Sequence, residues 1–211
     1  MEEEEDNRIT KKIILASKSP RRRHILELLK LNFDIIEPIN ITEKFFKEPH
    51  KTVFYNSSIK AQNVYNNVII NNLKNNKSKY GSSLIAGFDT IVYFRGRYLG
   101  KPSDKDEAGK FLRLLSGKSH LVISGITIID IDTGKTATDS ETTVVKFKLL
   151  QPSEIENYLR LENVMDKAGA YDISGYGCIL VEKIKGCFYN VAGLPVFKFI
   201  NLLKKFNCRI I

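Results

Sequence analysis

The chain has 211 residues, of which 43% are hydrophobic and 10% aromatic, so it can bury a core and is not intrinsically disordered. Its 33 Lys and Arg against 24 Asp and Glu give a formal net charge of +9, which favours an anionic partner: a nucleotide, a nucleic acid or an anionic membrane. At this length we expect one α/β domain over residues 11–211, after a flexible acidic tail at residues 1–10.

The N-terminus and the cysteines predict a cytosolic protein. The first residues, MEEEED, are acidic where a signal or transit peptide would be basic, and no apolar run reaches the roughly 18 residues of a membrane-spanning helix. The cysteines at 178, 187 and 208 are odd in number and widely spaced, without a C-x-x-C pair. We therefore expect buried or unreactive thiols in a reducing compartment.

The first predicted elements are a buried strand, a tight loop and a helix. The strand is the apolar run Ile13–Ala16, which is bounded by the turn-forming sequence Ser17-Lys18-Ser19-Pro20. Ser19 stands as N-cap and Pro20 at the first helical position, and apolar residues then recur at helical spacing.

The middle of the chain predicts a second strand at Phe33–Ile39 and a longer helix over residues 51–74. The stretch Asn66–Ser83 is rich in Asn, Lys and Ser, which is typical of a frayed helix end followed by a mobile insertion. A strand at Leu84–Phe94 then forms a hairpin through Arg95-Gly96-Arg97.

The remaining sequence alternates helices with hairpins. Ser103 is the predicted N-cap of a helix that reaches Leu115, and Ser153 with Glu156 forms a capping box for a helix ending near Leu161. The other predicted elements are an antiparallel pair at His120–Ile131 and Lys135–Leu149, a hairpin turning at Lys185-Gly186, and a final helix over Pro195–Phe206. This pattern predicts a mixed twisted sheet flanked by helices.

A basic cluster opens the first helix. Arg21, Arg22 and Arg23 occupy its first turn, where the helix dipole disfavours cations by roughly 0.3 to 1 kcal/mol each. A local violation of this kind often marks function, and a phosphate group at the helix N-terminus would relieve the repulsion. The alternative is a solvated basic face.

Asp89 interrupts an otherwise apolar strand, where an unpaired carboxylate would cost several kcal/mol. It could cap a turn or pair with a buried lysine. Together with Glu43 it could instead hold a hard divalent cation such as Mg²⁺, which binds one or two carboxylates and phosphate oxygens.

Two lysines stand out by their position, although most of the 33 basic residues are expected to be simply solvated. Lys101 is fixed between Gly100 and Pro102, whereas Lys60 lies on the second helix. The sequence Gly117-Lys118-Ser119 is not a P-loop, because Leu112 stands where a glycine is required and the segment closes a helix.

Seven motifs in this order resemble the Maf-like nucleotide pyrophosphatase family from Ile13 to about Phe206. They are Leu15-Ala16-Ser17-Lys18-Ser19-Pro20-Arg21-Arg22, Ile59-Lys60-Ala61, Gly87-Phe88-Asp89-Thr90, Gly100-Lys101-Pro102, Ser116-Gly117, Asp166-Lys167-Ala168-Gly169-Ala170-Tyr171 and Gly193-Leu194-Pro195. The resemblance implies an inosine triphosphatase-like fold with a central cleft. It also implies metal-assisted hydrolysis of nucleoside triphosphates to a monophosphate and pyrophosphate.

The resemblance assigns a role to each candidate residue. Asp89 looks like the general base, assisted by Lys60 and Lys101, and Glu43 with Asp89 looks like the site of Mg²⁺ or Mn²⁺. The phosphate-binding set is Ser17, Ser19, Arg21, Arg22 and Lys167. Base preference is implied at Arg22, Thr90 and Ser174, and the first two match the branch acting on dTTP and UTP.

Two positions depart from the family's pattern. Ile59 stands where the family usually has Glu, which removes a carboxylate near the metal, and Ser174 stands where the dTTP/UTP branch has Gln. Phe88 and Asp172 replace smaller residues. Modified nucleotides are therefore alternative substrates. The relatives that this chain resembles are often dimers, so a homodimer is also expected.

The rival hypothesis is a catalytically weakened nucleic-acid-binding protein with the same fold. The net charge and Ile59 permit it. The sequence, however, shows no RNP-like aromatic strand, zinc-ligand spacing or helix-turn-helix pattern.

Overall fold

A computed structural model describes residues 11–75 and 80–210. The elements follow in the order β1 Lys12–Ala16, α1 Pro20–Leu28, β2 Phe33–Ile35, α2 Pro49–Asn75, β3 Ser83–Phe94, β4 Arg97–Leu99, α3 Lys105–Leu115, β5 Ser119–Asp130, β6 Thr136–Phe147, α4 Pro152–Leu161, β7 Val181–Lys185, α5 Phe188–Val191 and α6 Val196–Lys204. The predicted acidic tail at 1–10 and residues 76–79 of the predicted insertion lie outside the described residues.

The strands form a mixed sheet in the order β2-β1-β3-β5-β6-β7, with β4 paired to β3. Strand β1 runs parallel to β2 and β3, whereas β3 with β4 and β6 with β7 are antiparallel. The predicted α/β class, a mixed sheet with flanking helices, is confirmed. No helix in the described ranges combines the length and the apolar character needed to cross a bilayer.

Two compact units make up the described chain. The first comprises the described residues of Met1–Asp89, Gly125–Ser140 and Val196–Ile211, and the second comprises Thr90–Ser124 and Glu141–Pro195. Strands β3, β5 and β6 contribute residues to both units. The single domain expected over residues 11–211 stays a prediction.

The core of the first unit lies between α2 and strands β1, β3 and β5. Ala61, Val64 and Val68 are spaced by three and four positions, so they share one face of the helix. They pack against Ile14, Ala16, Ile85, Ile129 and Ile131, with Ile36, Tyr65, Ile69 and Tyr80 at the edge. This packing fixes which face of α2 meets the sheet.

Two glycines allow α2 to lie directly on the strands. A Cβ atom at Gly87 would stand 2.4 Å from the backbone oxygen of Ser57 and 2.7 Å from the backbone nitrogen of Ala61. At Gly125 it would stand 2.3 Å from the backbone oxygen of Val53. Any larger residue would push the helix away from the sheet, because close-packed interiors have no room to absorb the extra atom.

Both predicted helix caps in the second unit are wrong by one or two residues. Asp104, not Ser103, caps α3: its side chain accepts a hydrogen bond from the backbone nitrogen of Glu107, while Ser103 donates to the Glu107 carboxylate. Helix α4 begins at Pro152, so its cap falls on the preceding Gln151, whose backbone nitrogen donates to Glu154.

The predicted hairpin at Lys185-Gly186 is also wrong. Strand β7 ends at Lys185 and pairs with β6 in the register Val144 to Lys185, and the chain then continues into α5. The predicted second strand is shorter than expected, because β2 ends at Ile35.

Candidate active site

Ser17, which follows β1, lies at the N-terminus of α1. The Ser17 hydroxyl oxygen accepts hydrogen bonds from the Ser19 backbone nitrogen at 3.2 Å and from Nη1 of Arg22 at 3.0 Å. Ser19 holds the predicted N-cap position with extended backbone, and its side chain makes no capping hydrogen bond. The loop therefore brings two hydroxyl side chains and Arg22 to the first turn of the helix.

Arg22 lies over the ring of Phe88, with 5.6 Å between its guanidinium carbon and the ring centroid. Phe88 is fully buried and packs on Phe199 of α6. Burial lowers the pKa of Arg22 to about 10, attraction by Asp89 and Glu43 opposes this change, and repulsion from Arg21 adds to it. Arg22 thus remains charged at neutral pH and interacts electrostatically with both carboxylates.

Asp89 is 5% exposed and has a donor on each carboxylate oxygen. Nζ of Lys60 stands 2.6 Å from Oδ1, and Nδ2 of Asn56 stands 3.2 Å from Oδ2. A buried carboxylate requires such partners. Of the alternatives for Asp89, pairing with a lysine is the one observed, and that lysine is the partly buried Lys60, one of the predicted site residues.

Lys60 also bridges to Glu43, so its ammonium lies between two carboxylates. Its Nζ is 2.7 Å from Oε1 of Glu43. The Glu43 side chain is 44% exposed and that of Asp89 only 7%, so the second ion pair is the better shielded from water. Glu43 lies in the loop between β2 and α2.

Asn56 is a site residue that the sequence analysis missed. It is fully buried, and its Oδ1 accepts a hydrogen bond of 2.9 Å from the backbone nitrogen of Lys44, next to Glu43. The available signal was a polar residue four positions before Lys60, which places both side chains on one helix face.

Glu43 and Asp89 are the two carboxylates of this cluster, and they could contribute oxygens to a divalent-cation site. Glu43 and Asp89 both reach the Lys60 ammonium, and carboxylate oxygens are the ligands that Mg²⁺ and Mn²⁺ prefer. Within residues 11–75 and 80–210, no group of three or more His, Cys, Asp or Glu side chains could hold a metal. An ion would therefore depend on these two carboxylates and on oxygens from its ligand.

The other predicted residues belong to the second unit. Lys101 is exposed in the loop between β4 and α3. The Thr90 hydroxyl shares a 2.8 Å hydrogen bond with that of Ser124. Ser174 donates from its hydroxyl to Oδ1 of Asp172 at 2.6 Å, so that hydroxyl is already engaged.

Lys167 is 8% exposed and already surrounded by acceptors. Its Nζ is 2.9 Å from Oδ1 of Asp166 and 3.6 Å from Oε1 of Glu162, and it donates to the backbone oxygen of Asn163. These contacts offset its positive charge, so Lys167 offers less net attraction to a phosphate than an exposed lysine would.

Comparison with known proteins identifies a family and several similar proteins. Residues 12–206 match the family described as Maf-like protein. A "dTTP/UTP pyrophosphatase" of Clostridium tetani is 43% identical over 195 residues, covering 91% of this chain and 96% of that protein. Proteins with the same name from Thermoanaerobacter sp. (41% identical; 95% and 100% covered) and Bacillus cereus (41%; 93% and 96%) match similarly. The Ham1 protein of Staphylococcus aureus matches 65% of this chain and 72% of that chain at 15% identity, with a TM-score of 0.38, which supports no conclusion.

Proposed function

The chain belongs to the Maf-like protein family, and we propose that it is a nucleoside triphosphate pyrophosphatase acting on dTTP and UTP. Relatives named for that activity match this chain at about 40% identity over nearly their whole length. The structural observation that carries the proposal is the meeting of Asp89, Lys60 and Glu43 within electrostatic reach of Arg22. The comparisons give no support to the nucleic-acid-binding alternative.

In the proposed reaction, water attacks the α-phosphorus of the nucleotide. A bond forms between the water oxygen and the α-phosphorus, the bond to the β-phosphate breaks, and pyrophosphate leaves with the electron pair. Asp89 accepts the proton, since each of its oxygens has one protein donor and retains acceptor capacity. Positioning and charge stabilisation supply most of the rate enhancement in such transfers.

The basic residues neutralise the phosphate chain. Ser17, Ser19, Arg21 and Arg22 present hydroxyl groups and positive charge at the N-terminus of α1, where backbone N–H groups also favour an anion. Lys60 keeps the Asp89 carboxylate oriented. We also retain Lys101 and Lys167 as predicted phosphate contacts on the strength of the family resemblance.

Glu43 and Asp89 would hold the divalent cation, Mg²⁺ or Mn²⁺. When bound, it would offset phosphate charge and polarise the phosphoryl group. Ile59 adds no oxygen ligand, so we expect the metal to bind weakly without substrate.

We expect this chain to make fewer contacts to the nucleotide base than the dTTP/UTP branch of the family makes. Arg22 and Thr90 match the dTTP/UTP branch, whereas the Ser174 hydroxyl donates its single proton to Asp172 and offers a base no bidentate amide. We propose that the chain discriminates less sharply among bases and accepts modified nucleotides. A cytosolic location, consistent with its free cysteines, and a homodimer remain predictions.

The test is a substrate panel with product analysis in ¹⁸O-labelled water. Purified protein is incubated with normal and modified triphosphates and Mg²⁺ or Mn²⁺, and pyrophosphate and monophosphate are quantified. We expect UTP and dTTP to yield equal amounts of both products, with ¹⁸O in the monophosphate. Release of inorganic phosphate alone, or label in the pyrophosphate, would contradict attack at the α-phosphorus.

A further inference from the structure

Asn56 links the two carboxylates of the candidate site through a closed ring of contacts. Its Nδ2 contacts Asp89, Asp89 contacts Lys60, Lys60 contacts Glu43, and the neighbouring Lys44 nitrogen contacts Oδ1 of Asn56. Asn56 is therefore the neutral member of a ring whose other side chains are charged.

The chemistry of the ring fixes which way the Asn56 amide points. A backbone N–H such as that of Lys44 can only donate, so the atom facing it must be the amide oxygen. The amide nitrogen is thereby directed at Asp89, where it donates to Oδ2. One side chain thus orients the proposed base and anchors the loop that carries Glu43.

The backbone holds Asn56 firmly in that place. Asn56 and Lys60 are four residues apart on α2, and the helix rests on Gly87, two residues before Asp89 in β3. A fully buried amide on a close-packed helix has little freedom to turn away.

We infer that Asn56 is a positioning residue for the reaction, acting through Asp89 and through the loop that carries Glu43. The inference rests on the proposed function. Its two contacts can be separated experimentally, because Asn56→Asp keeps an acceptor for Lys44 but replaces the donor to Asp89 with a like charge. Asn56→Leu removes both contacts while keeping the branched shape of the side chain.

The experiment compares these two variants with wild type and with Ser57→Ala. Ser57 is the matched control: it is equally buried on α2, and its hydroxyl contacts the Phe54 backbone oxygen and Thr127, away from Asp89. For each protein kcat and KM for UTP, the unfolding temperature and a crystal structure are determined. We expect Asn56→Asp to lose about 100-fold in kcat, as for a misplaced reacting group, with KM changed less than about threefold.

We expect Asn56→Leu to lose a similar factor in kcat and also unfolding temperature, because the Lys44 nitrogen loses its acceptor. Ser57→Ala should unfold at a lower temperature than wild type but keep kcat within about twofold of the wild-type value. In both Asn56 variants the Asp89 carboxylate should rotate away from its wild-type orientation.

The two possible failures give different results. If wild type hydrolyses UTP while Asn56→Asp keeps its kcat and the Asp89 orientation, the inference is overturned and the function stands. Equal kcat losses in Ser57→Ala and Asn56→Asp would also overturn it, by showing a general stability effect. If wild type releases no pyrophosphate from UTP, the proposed function is refuted. If the Asp89 carboxylate also keeps its orientation in the crystal structures of both Asn56 variants, the positioning contact is refuted as well.

Discussion

Replacing Gly87 with alanine should damage activity and stability together. The new Cβ would stand 2.4 Å from the backbone oxygen of Ser57, whereas ordinary contacts begin at 3.4 Å. Helix α2 must therefore move by about 1 Å, because the obstructing atoms are backbone and cannot rotate away. Overpacking of this kind costs about 1–3 kcal/mol.

The same displacement carries Lys60 and Asn56 away from Asp89, since both lie on α2. A shift of about 1 Å in a positioned group can cost about 100-fold in rate. For a chain of this length, 1–3 kcal/mol corresponds to a fall in Tm of about 2–12 °C. We therefore expect Gly87→Ala to lose about 100-fold in kcat/KM and several degrees of Tm.

Thermal unfolding and pyrophosphate release from UTP measure the two effects, with Gly109→Ala as the control. Gly109 lies inside α3, and the atoms nearest to a Cβ there belong to the exposed, flexible guanidinium of Arg113, at 3.2 Å. Alanine favours a helix interior by about 1 kcal/mol over glycine, so this variant should be as stable as wild type or more so. A Gly87→Ala protein with wild-type Tm and kcat/KM would refute the close approach of α2 to β3.

Three further results are expected. Asp89→Asn should keep the fold, as judged by circular dichroism, and lose at least about 100-fold in kcat; retained turnover would remove Asp89 as the base. Burial lowers the pKa of His120 to about 4, so the unfolded chain binds the extra proton between about pH 4 and 6.5. As the pH decreases from about 6.5 to 4, the free energy of unfolding should fall by about 3 kcal/mol more in wild type than in His120→Gln. Urea titrations at several pH values that show the same decrease in both proteins would contradict this. A thiol reagent should label exposed Cys178 before buried Cys208, whose pKa is raised by burial; mass spectrometry showing the reverse order would contradict the described burial.

Local patterns allowed the early elements to be predicted, but not their caps. Strand β1 and helix α1 were recognised because an apolar run met the turn residues Ser19 and Pro20. The cap of α3 was misplaced by one residue because Ser103 and Asp104 can both cap a helix. The choice depends on which residue adopts the extended backbone at the junction, and Asp104 does so, with φ −153° and ψ 177°.

Long-range contacts explain what the sequence could not predict. The partner of β7 is β6, and no local signal separates that pairing from a hairpin at Gly186. Asp89, Glu43 and Lys60 were foreseeable through the family resemblance and their charge. Asn56 was not, because its role depends on Lys44 and Asp89, which lie 12 and 33 positions away along the chain.

The aromatic contact between Phe88 and Phe199 can form only when the last helix has been synthesised. Phe88 underlies Arg22, and Phe199 belongs to α6, the last helix of the chain. A protein leaves the ribosome from its N-terminus. Residues 17 to 89 are therefore all translated before Phe199, the ring that packs on Phe88. A nascent chain stalled before α6 would carry every charged group of the first unit's site, yet the ring beneath Arg22 would lack its neighbour until translation ends.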